Sequence, residues 1–314
     1  MTPVVLNGVT ALSHLGVIRA EGPEAADFLN GQLTQDFALL GPTEARLAAL
    51  CTAKGRVIAS FIGIRPQPER VLLVIGRDIL PATLKRLSMY VLRAKLKLSD
   101  ASDEFMLHGL TGTALTANGT ALTANGVDAG APPGRCCHVG DASVISLYPS
   151  DRVPRALRIA PAGSAEPEGP ALDPALWQWS EVRSGIVTVS APIVDAFVPQ
   201  MLNYESVGGV SFKKGCYPGQ EVVARSQFRG TLKRRTYLVQ APAPLAAGQE
   251  VFAANDPEQP VGMVAQAAPT PGGGWAALVS MQIAALNAGG LHAGSAEGPA
   301  LSVEPLPYPL LEDV

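Results

Sequence analysis

Charge is scarce in this chain. Asp, Glu, Lys and Arg make up 16% of its 314 residues, aromatic residues only 5%, and the formal net charge is −3. With 47% apolar residues there is ample material for real cores, and the length allows two or three domains. Cysteine is also sparse. Cys51, Cys136, Cys137 and Cys216 form no CxxC pair and no zinc-ligand spacing. A disulfide between the adjacent Cys136 and Cys137 would be strained, so free thiols are expected. With His138 they hint at a metal, but three consecutive residues rarely converge on one ion, and no metal site is expected. Residues 1–16 lack the basic start and long apolar core of a signal peptide. Reduced thiols without an export signal point to the cytoplasm. The stretch Val261 to Ala296 holds no Asp, Glu, Lys or Arg, but prolines, glycines and Asn287 break it before it reaches the roughly 20 apolar residues of a membrane helix.

Glycine (32) and proline (27) are abundant, which fits many turns and strand ends. Gly22-Pro23-Glu24 opens a helix that carries Asp27, Phe28 and Leu29 towards Asn30-Gly31-Gln32. Arg46 to Ile64 reads as a strand pair turning near Lys54-Gly55-Arg56, and Val71 to Ile75 as a further strand. An amphipathic helix follows from Ile79 to Val91, then a strand from Ala94 to Leu98. This order suggests an α+β subdomain. Thr-Ala-Leu-Thr-Ala-Asn-Gly occurs twice in tandem from Thr113, and reads as helix plus surface loop. Pro161 to Pro174 is an exposed connection. From about Thr236 alternating strands and Gly-rich turns indicate an all-β module.

The stretch with most chemistry is Lys213-Lys214-Gly215-Cys216-Tyr217-Pro218-Gly219-Gln220-Glu221. It sets one thiol in a Gly- and Pro-cornered turn behind two lysines, whose charge favours the reactive thiolate. Between Lys213 and Arg235 seven basic residues (Lys213, Lys214, Arg225, Arg229, Lys233, Arg234, Arg235) face the single Glu221, leaving the rest of the chain at about −9. Such focused charge suits an anion: a polycarboxylate, a phosphate or RNA. Only Tyr217, Phe228 and Tyr237 are available for base stacking, so direct tRNA binding ranks last.

These residues resemble the YgfZ-type folate-binding proteins, relatives of the glycine cleavage aminomethyltransferase. The resemblance rests on Lys214-Gly215-Cys216-Tyr217 with Gly219-Gln220-Glu221, on Val222-Val223-Ala224-Arg225, and on Arg229-Gly230 and Lys233-Arg234. Supporting stretches are Phe28-Leu29 with Gly31-Gln32, Lys54-Gly55-Arg56, Phe197-Val198-Pro199-Gln200, Gly208 to Lys213, and the tail Glu304 to Tyr308. It implies an α+β fold of three parts: a body of two interleaved α+β subdomains over residues 1–235, with boundaries near 45 and 100–175, and a C-terminal β-barrel over 236–314. It also implies a tetrahydrofolate pocket and a role in keeping iron–sulfur proteins working, tRNA-thiolating enzymes among them. The functional thiol would be Cys216, as nucleophile, cluster ligand or redox partner, facing the folate cavity. Lys213 and Lys214 would lower its pKa or bind an anionic tail. Gly215 and Gly219 would shape the turn beside Tyr217, Gln220 and Glu221 would bond its backbone, and Arg225 would pair with Glu221 or meet a ligand carboxylate.

Folate contacts are expected from Trp177, Glu181, Arg183, Gln32, Lys54 and Arg56. Relatives carry a pterin-gripping glutamate where Arg183 stands; Glu181 lies on the same face if this piece is a strand, and Arg183 could instead meet the glutamyl tail. Two aspartates of aminomethyltransferases are replaced here by Ala59 and Ser60, so glycine-cleavage activity is not expected. The alternative to an accessory factor is a tetrahydrofolate-dependent one-carbon transferase.

Overall fold

The computed structural model describes residues 5–115, 130–228, 232–287 and 289–311. In chain order the elements are β1 (Gly8–Ala11), β2 (Leu15–Glu21), α1 (Ala25–Asn30), β3 (Ala45–Cys51), β4 (Val57–Gln67), β5 (Arg70–Gly76), α2 (Leu80–Ser88), β6 (Lys97–Asp100), β7 (Phe105–Thr111), β8 (Cys136–Val139), β9 (Ala142–Ser150), β10 (Val153–Pro161), α3 (Pro174–Arg183) and α4 (Gln220–Phe228), then β11 (Arg234–Ala241), β12 (Glu250–Ala253), β13 (Asp256–Pro269), β14 (Trp275–Gln282), β15 (Leu291–Ala293) and β16 (Ala300–Glu304). They form a sheet β3-β4-β5-β2-β6, a sheet β1-β7-β10-β9-β8, and a closed barrel β11-β14-β13-β12-β15-β16. The expected mixed architecture of few helices, many strands and a C-terminal barrel is therefore present.

The strand β5 shows why the two sheets stack. Its run Val71-Leu72-Leu73-Val74-Ile75 does not alternate with polar residues because both faces are covered. Val71, Leu73 and Ile75 join Leu29, Phe37, Phe61 and Leu80 in one core beneath the helices. Leu72 and Val74 join Val17, Ile64, Leu157, Ile159 and Trp177 in a second core against the other sheet. The barrel follows the same rule. Ala277, Val279 and Met281 of β14 fill its interior, while Ala276 and Leu278 face outward onto the body.

Several boundaries differ from the pattern-based reading. The helix after Ile79 stops at Ser88, because the chain closes into turns at Met89–Val91 and Leu92 takes a left-handed φ of 38°. The next strand forms three residues later than expected, at Lys97–Asp100, where its register with β2 is set. The piece that carries Glu181 and Arg183 is the helix α3: Asp173 caps it through Ala175 N–H and Pro174 stands in its first turn. Glu181 and Arg183 thus point in different directions, since two helical residues lie about 200° apart. Most of the tandem duplication (residues 116–126), and Arg229-Gly230, lie outside the described residues. No described helix is long and apolar enough to cross a membrane.

The tail fastens barrel to body. Tyr308 donates from its hydroxyl to Gly185 O (2.7 Å), and Gly185, at φ +75°, leaves room for the ring: a Cβ would lie 2.6 Å from it. Arg183 bridges Asp151 (2.6 Å) and Glu304 of β16.

Candidate functional site

A cavity of about 580 Å³ opens between β3–β4 of one sheet and β9–β10 of the other. Its apolar walls are Leu47, Ile62, Ile145 and Leu147, and its polar groups include Arg155, Glu181 and Lys213. It deepens into a 60 Å³ recess that reaches Ser60 and Trp177. Glu181 projects here from α3. Its Oε1 accepts from Trp177 Nε1 (3.0 Å) and faces His14 Nε2 (3.3 Å). Burial lowers the His14 pKa, but the hydrogen bond to Glu181 and its charge more than offset that, and the net shift is upward.

Trp177 is 1% exposed and forms part of the core behind the cavity. Its indole lies flat on Gly109 of β7, where a Cβ would stand 2.6 Å from the ring. Above it sits the Arg155 guanidinium, 5.0 Å from the ring centroid. Arg155 also donates to Tyr148 O (3.2 Å) and Ser180 Oγ (3.1 Å). Burial lowers its pKa to about 10, against the pull of Glu181.

Of the six residues expected to contact folate, Glu181 lines the cavity and Trp177 stands one layer behind it. The other four lie elsewhere. Arg183 is held by Asp151 and Glu304, Arg56 donates to Ala196 O (2.6 Å), Lys54 is exposed on a tight turn, and Gln32 keeps a buried Oε1 that has no partner among the described residues. Arg155 was not anticipated. The signal was an arginine inside the largely apolar strand Val153–Pro161, between Pro154 and Ala156. Ala59 is packed in the core, and Ser60 Oγ accepts from Val189 N–H (2.9 Å), so no carboxylate stands at either position.

The Cys216 turn is separate. Its thiol is exposed in a shallow depression with Ala53, Gly219, Gln220 and Glu221, and is not on the cavity lining. Gly219, at φ +82°, packs back to back with Gly55: a Cβ on it would meet Thr52 O at 2.4 Å and Gly55 Cα at 2.7 Å. Two stretches singled out in the sequence, Lys54–Arg56 and Lys213–Glu221, are thereby joined. Gly215 has no such reason to be glycine, since a Cβ there would meet nothing within 4 Å. The two lysines diverge. Lys213 lines the cavity, and among the described residues its ammonium has no carboxylate partner. Lys214 turns inward, donating to Asn30 O, Leu33 O (3.1 Å) and Gly215 O (3.2 Å) over the face of Tyr217 (4.6 Å). Burial lowers its pKa to about 8, opposed by Asp36 and Cys216. Glu221 accepts from Arg225 one turn later (2.7 Å), an exposed helix pair worth a few tenths of a kcal/mol.

Cys51, Cys136 and Cys216 are free thiols. Burial pushes Cys51 and Cys136 up to about 12, which makes them inert. Among the described residues no group of three or more His, Cys, Asp or Glu could hold a metal ion.

Two stacked antiparallel sheets, a cavity between them and a docked six-stranded barrel define an aminomethyltransferase fold. The solved aminomethyltransferase T of the glycine cleavage system from Bartonella henselae superposes with a TM-score of 0.65, covering 98% of this chain and 87% of that one at 18% identity. That identity speaks for the fold alone. No protein-family model matches the chain. Among curated proteins, the tRNA-modifying protein YgfZ of Edwardsiella ictaluri is 32% identical over 235 residues, 72% of this chain and 69% of the relative. That of Sodalis glossinidius is 29% identical over 314 residues, covering 96% and 93%. That of Colwellia psychrerythraea is 30% identical over 231 residues, covering 72% and 69%. The chain belongs to the family of the tRNA-modifying protein YgfZ.

Proposed function

We propose that this protein is a cytoplasmic folate-binding accessory factor that supports the assembly or repair of iron–sulfur proteins, and through them tRNA thiolation, with Cys216 as its working thiol. The observation that carries the folate reading is the 580 Å³ cavity between the sheets, a volume within the usual range for small-molecule sites. The residues present fit a folate. A flat ring system suits the slot between Leu47, Ile62, Ile145 and Leu147, and Glu181 offers a carboxylate to ring N–H groups. Carboxylates of the glutamyl tail suit the cations Lys213 and Arg155. Tetrahydrofolate, when bound, supplies a carrier for one-carbon units. The chain's own residues would orient it and exclude water. With Ala59 and Ser60 in place of carboxylates, none of these positions holds or relays a proton at neutral pH, which favours a factor over an aminomethyltransferase.

The thiol reading is supported by contrast. Cys216 is exposed, while Cys51 and Cys136 are buried with raised pKa values. One cysteine cannot hold a cluster alone, so contact with an iron–sulfur client would bring the remaining ligands from the partner. The tRNA connection runs through such clients. A net charge of −3 and few aromatics suit that indirect route better than RNA binding.

The test compares the wild type with Cys216→Ala. Tetrahydrofolate binding is measured by calorimetry, and tRNA thiolation in cells lacking the protein and carrying either form. Binding should be retained and thiolation lost. Unaffected thiolation would refute the thiol assignment, and absence of tetrahydrofolate binding by the wild type would refute the cavity assignment.

A further inference from the structure

The turn that closes α2 exposes apolar side chains that the fold does not bury. Met89 is 59% exposed, Tyr90 45% and Leu92 88%, and Leu92 is the most exposed large apolar residue among those described. A lone exposed leucine is ordinary, but three large apolar side chains within four residues at one tip are not. Leu92 also holds a left-handed φ of 38°, a strained backbone for leucine, although its side chain packs on almost nothing. The tip is braced. The Met89, Tyr90 and Val91 N–H groups donate to Lys85 O, Leu87 O and Ser88 O, and Ala94 N–H donates to Val91 O (2.7 Å). At its base Glu24 accepts from Lys95 N–H (3.1 Å), and Gly22 approaches so closely that a Cβ would stand 2.3 Å from Lys95 O.

Positive charge surrounds the tip. Between Asp78 and Asp100 the chain carries Lys85, Arg86, Arg93, Lys95 and Lys97 and no acidic residue. Lys85, Arg93, Lys95 and Lys97 are exposed, and among the described residues none of these four is in an ion pair. Two carboxylates beside them are spent elsewhere: Glu24 on the Lys95 amide, and Glu21, opposite Lys97 in the β2–β6 ladder, on Arg70 (2.5 Å). Protection of a sheet edge explains a lysine on β6, but not the methionine, tyrosine and leucine of the preceding turn. The helix α2 packs Leu80 and Leu87 into the core beneath the helices, and no residue of the tip lines the cavity between the sheets.

We propose that this tip is a reversible membrane-surface anchor. Met89, Tyr90 and Leu92 enter the interfacial layer of an anionic bilayer, while Lys85, Arg93, Lys95 and Lys97 meet its headgroups. Shape favours a lipid surface over a protein partner. Leu92 stands clear of the body, so a protein would have to supply a fitted pocket for it, whereas a fluid bilayer accepts a protruding side chain anywhere along its surface. Exposed cations on both flanks suit a continuous plane of negative charge. Tyrosine, apolar in its ring and polar at its tip, suits the boundary between lipid and water. Such an anchor lies on the membrane, so it needs no spanning helix. The inference goes beyond the folate and thiol readings and stands or falls without them.

The test is flotation of the full chain with vesicles at low ionic strength. One set is phosphatidylcholine alone, the other phosphatidylcholine and phosphatidylglycerol in equal parts. Wild type should bind the anionic vesicles about tenfold more tightly than the neutral ones, and lose that preference as added salt screens the headgroups. Leu92→Asn suits the left-handed backbone and removes the inserting side chain, and should weaken binding by about tenfold. Lys85→Glu combined with Arg93→Glu, both at exposed positions, should bring anionic binding down to the neutral level. A wild type that ignores anionic vesicles overturns the inference and leaves the tip to an acidic protein. Undiminished binding by Leu92→Asn overturns it, because nothing then inserts. Binding that survives the double charge reversal would come from another basic surface, such as Lys213 to Arg235, and overturns it as well.

Discussion

The cavity takes Leu47 from β3, Ile62 from β4, Leu147 from β9, Arg155 from β10 and Glu181 from α3, whereas the thiol turn takes nine consecutive residues from Lys213 to Glu221. The first is invisible as a motif and is assembled by two sheets. The second is conspicuous as a motif, yet folding pulls it apart. Lys213 goes to the cavity, Lys214 into the interior and Cys216 to solvent. Lys214 is occupied with backbone carbonyls near the end of α1, a favourable place for a cation. The two regions still meet, because Lys213 stands on the cavity lining three residues before Cys216.

Changes on either side can break or sharpen this contrast. The largest effect is expected on the cavity side. Gly109→Val would drive a side chain into the Trp177 ring and should cost about 3 kcal/mol of stability in denaturant unfolding. An unchanged midpoint would show that Trp177 does not lean on β7. On the turn side, Gly219→Ala meets both a left-handed φ and the Thr52 carbonyl, for an expected loss of about 2 kcal/mol. It should also uncouple the turn from Gly55, visible as faster amide exchange around Cys216. If exchange stays slow, the two turns are not mutually supporting.

A smaller effect separates Lys214 from an ordinary surface lysine. Its pKa is lowered from 10.5 to about 8, so between those values the unfolded chain binds the extra proton. Stability from this group should therefore rise as pH increases from about 8 towards 10.5, by on the order of 1 kcal/mol, since the carbonyls around the ammonium trim the full effect. Comparing wild type with Lys214→Met across that window isolates it, and parallel curves would argue against a buried ammonium. The smallest effect is expected from Cys216→Ala. An exposed side chain should change stability by less than about 0.5 kcal/mol, so any large loss would mean that the thiol packs against something.

Much of the fold was legible. The strands around Lys54–Arg56, the strand Val71–Ile75 and the charge-free barrel segment follow from apolar runs cut by turn residues. The piece left without an assignment was Leu176 to Ser184. Its apolar residues lack clear helical periodicity, and its buried positions, Trp177, Ser180 and Val182, include a polar one. The cap Asp173-Pro174 was the available signal. The site was legible in part. Glu181 and Lys213 were picked out by chemistry, but nothing local marked Leu47, Ile62 or Leu147 as cavity walls rather than core. An apolar residue looks the same in sequence whether its neighbour is a side chain or a void.

The sequence alone determined the family and the run of chemical groups from Lys213 to Glu221, because each is a matter of which residues stand at contiguous positions. Only the tertiary structure decided where the charges went: Lys214 into the interior, Arg183 to the tail and Arg155 onto the face of Trp177. A side chain's environment is set by strands and helices far away in the chain, and burial, not residue type, decides whether a cation is solvated, paired or bonded to neutral groups.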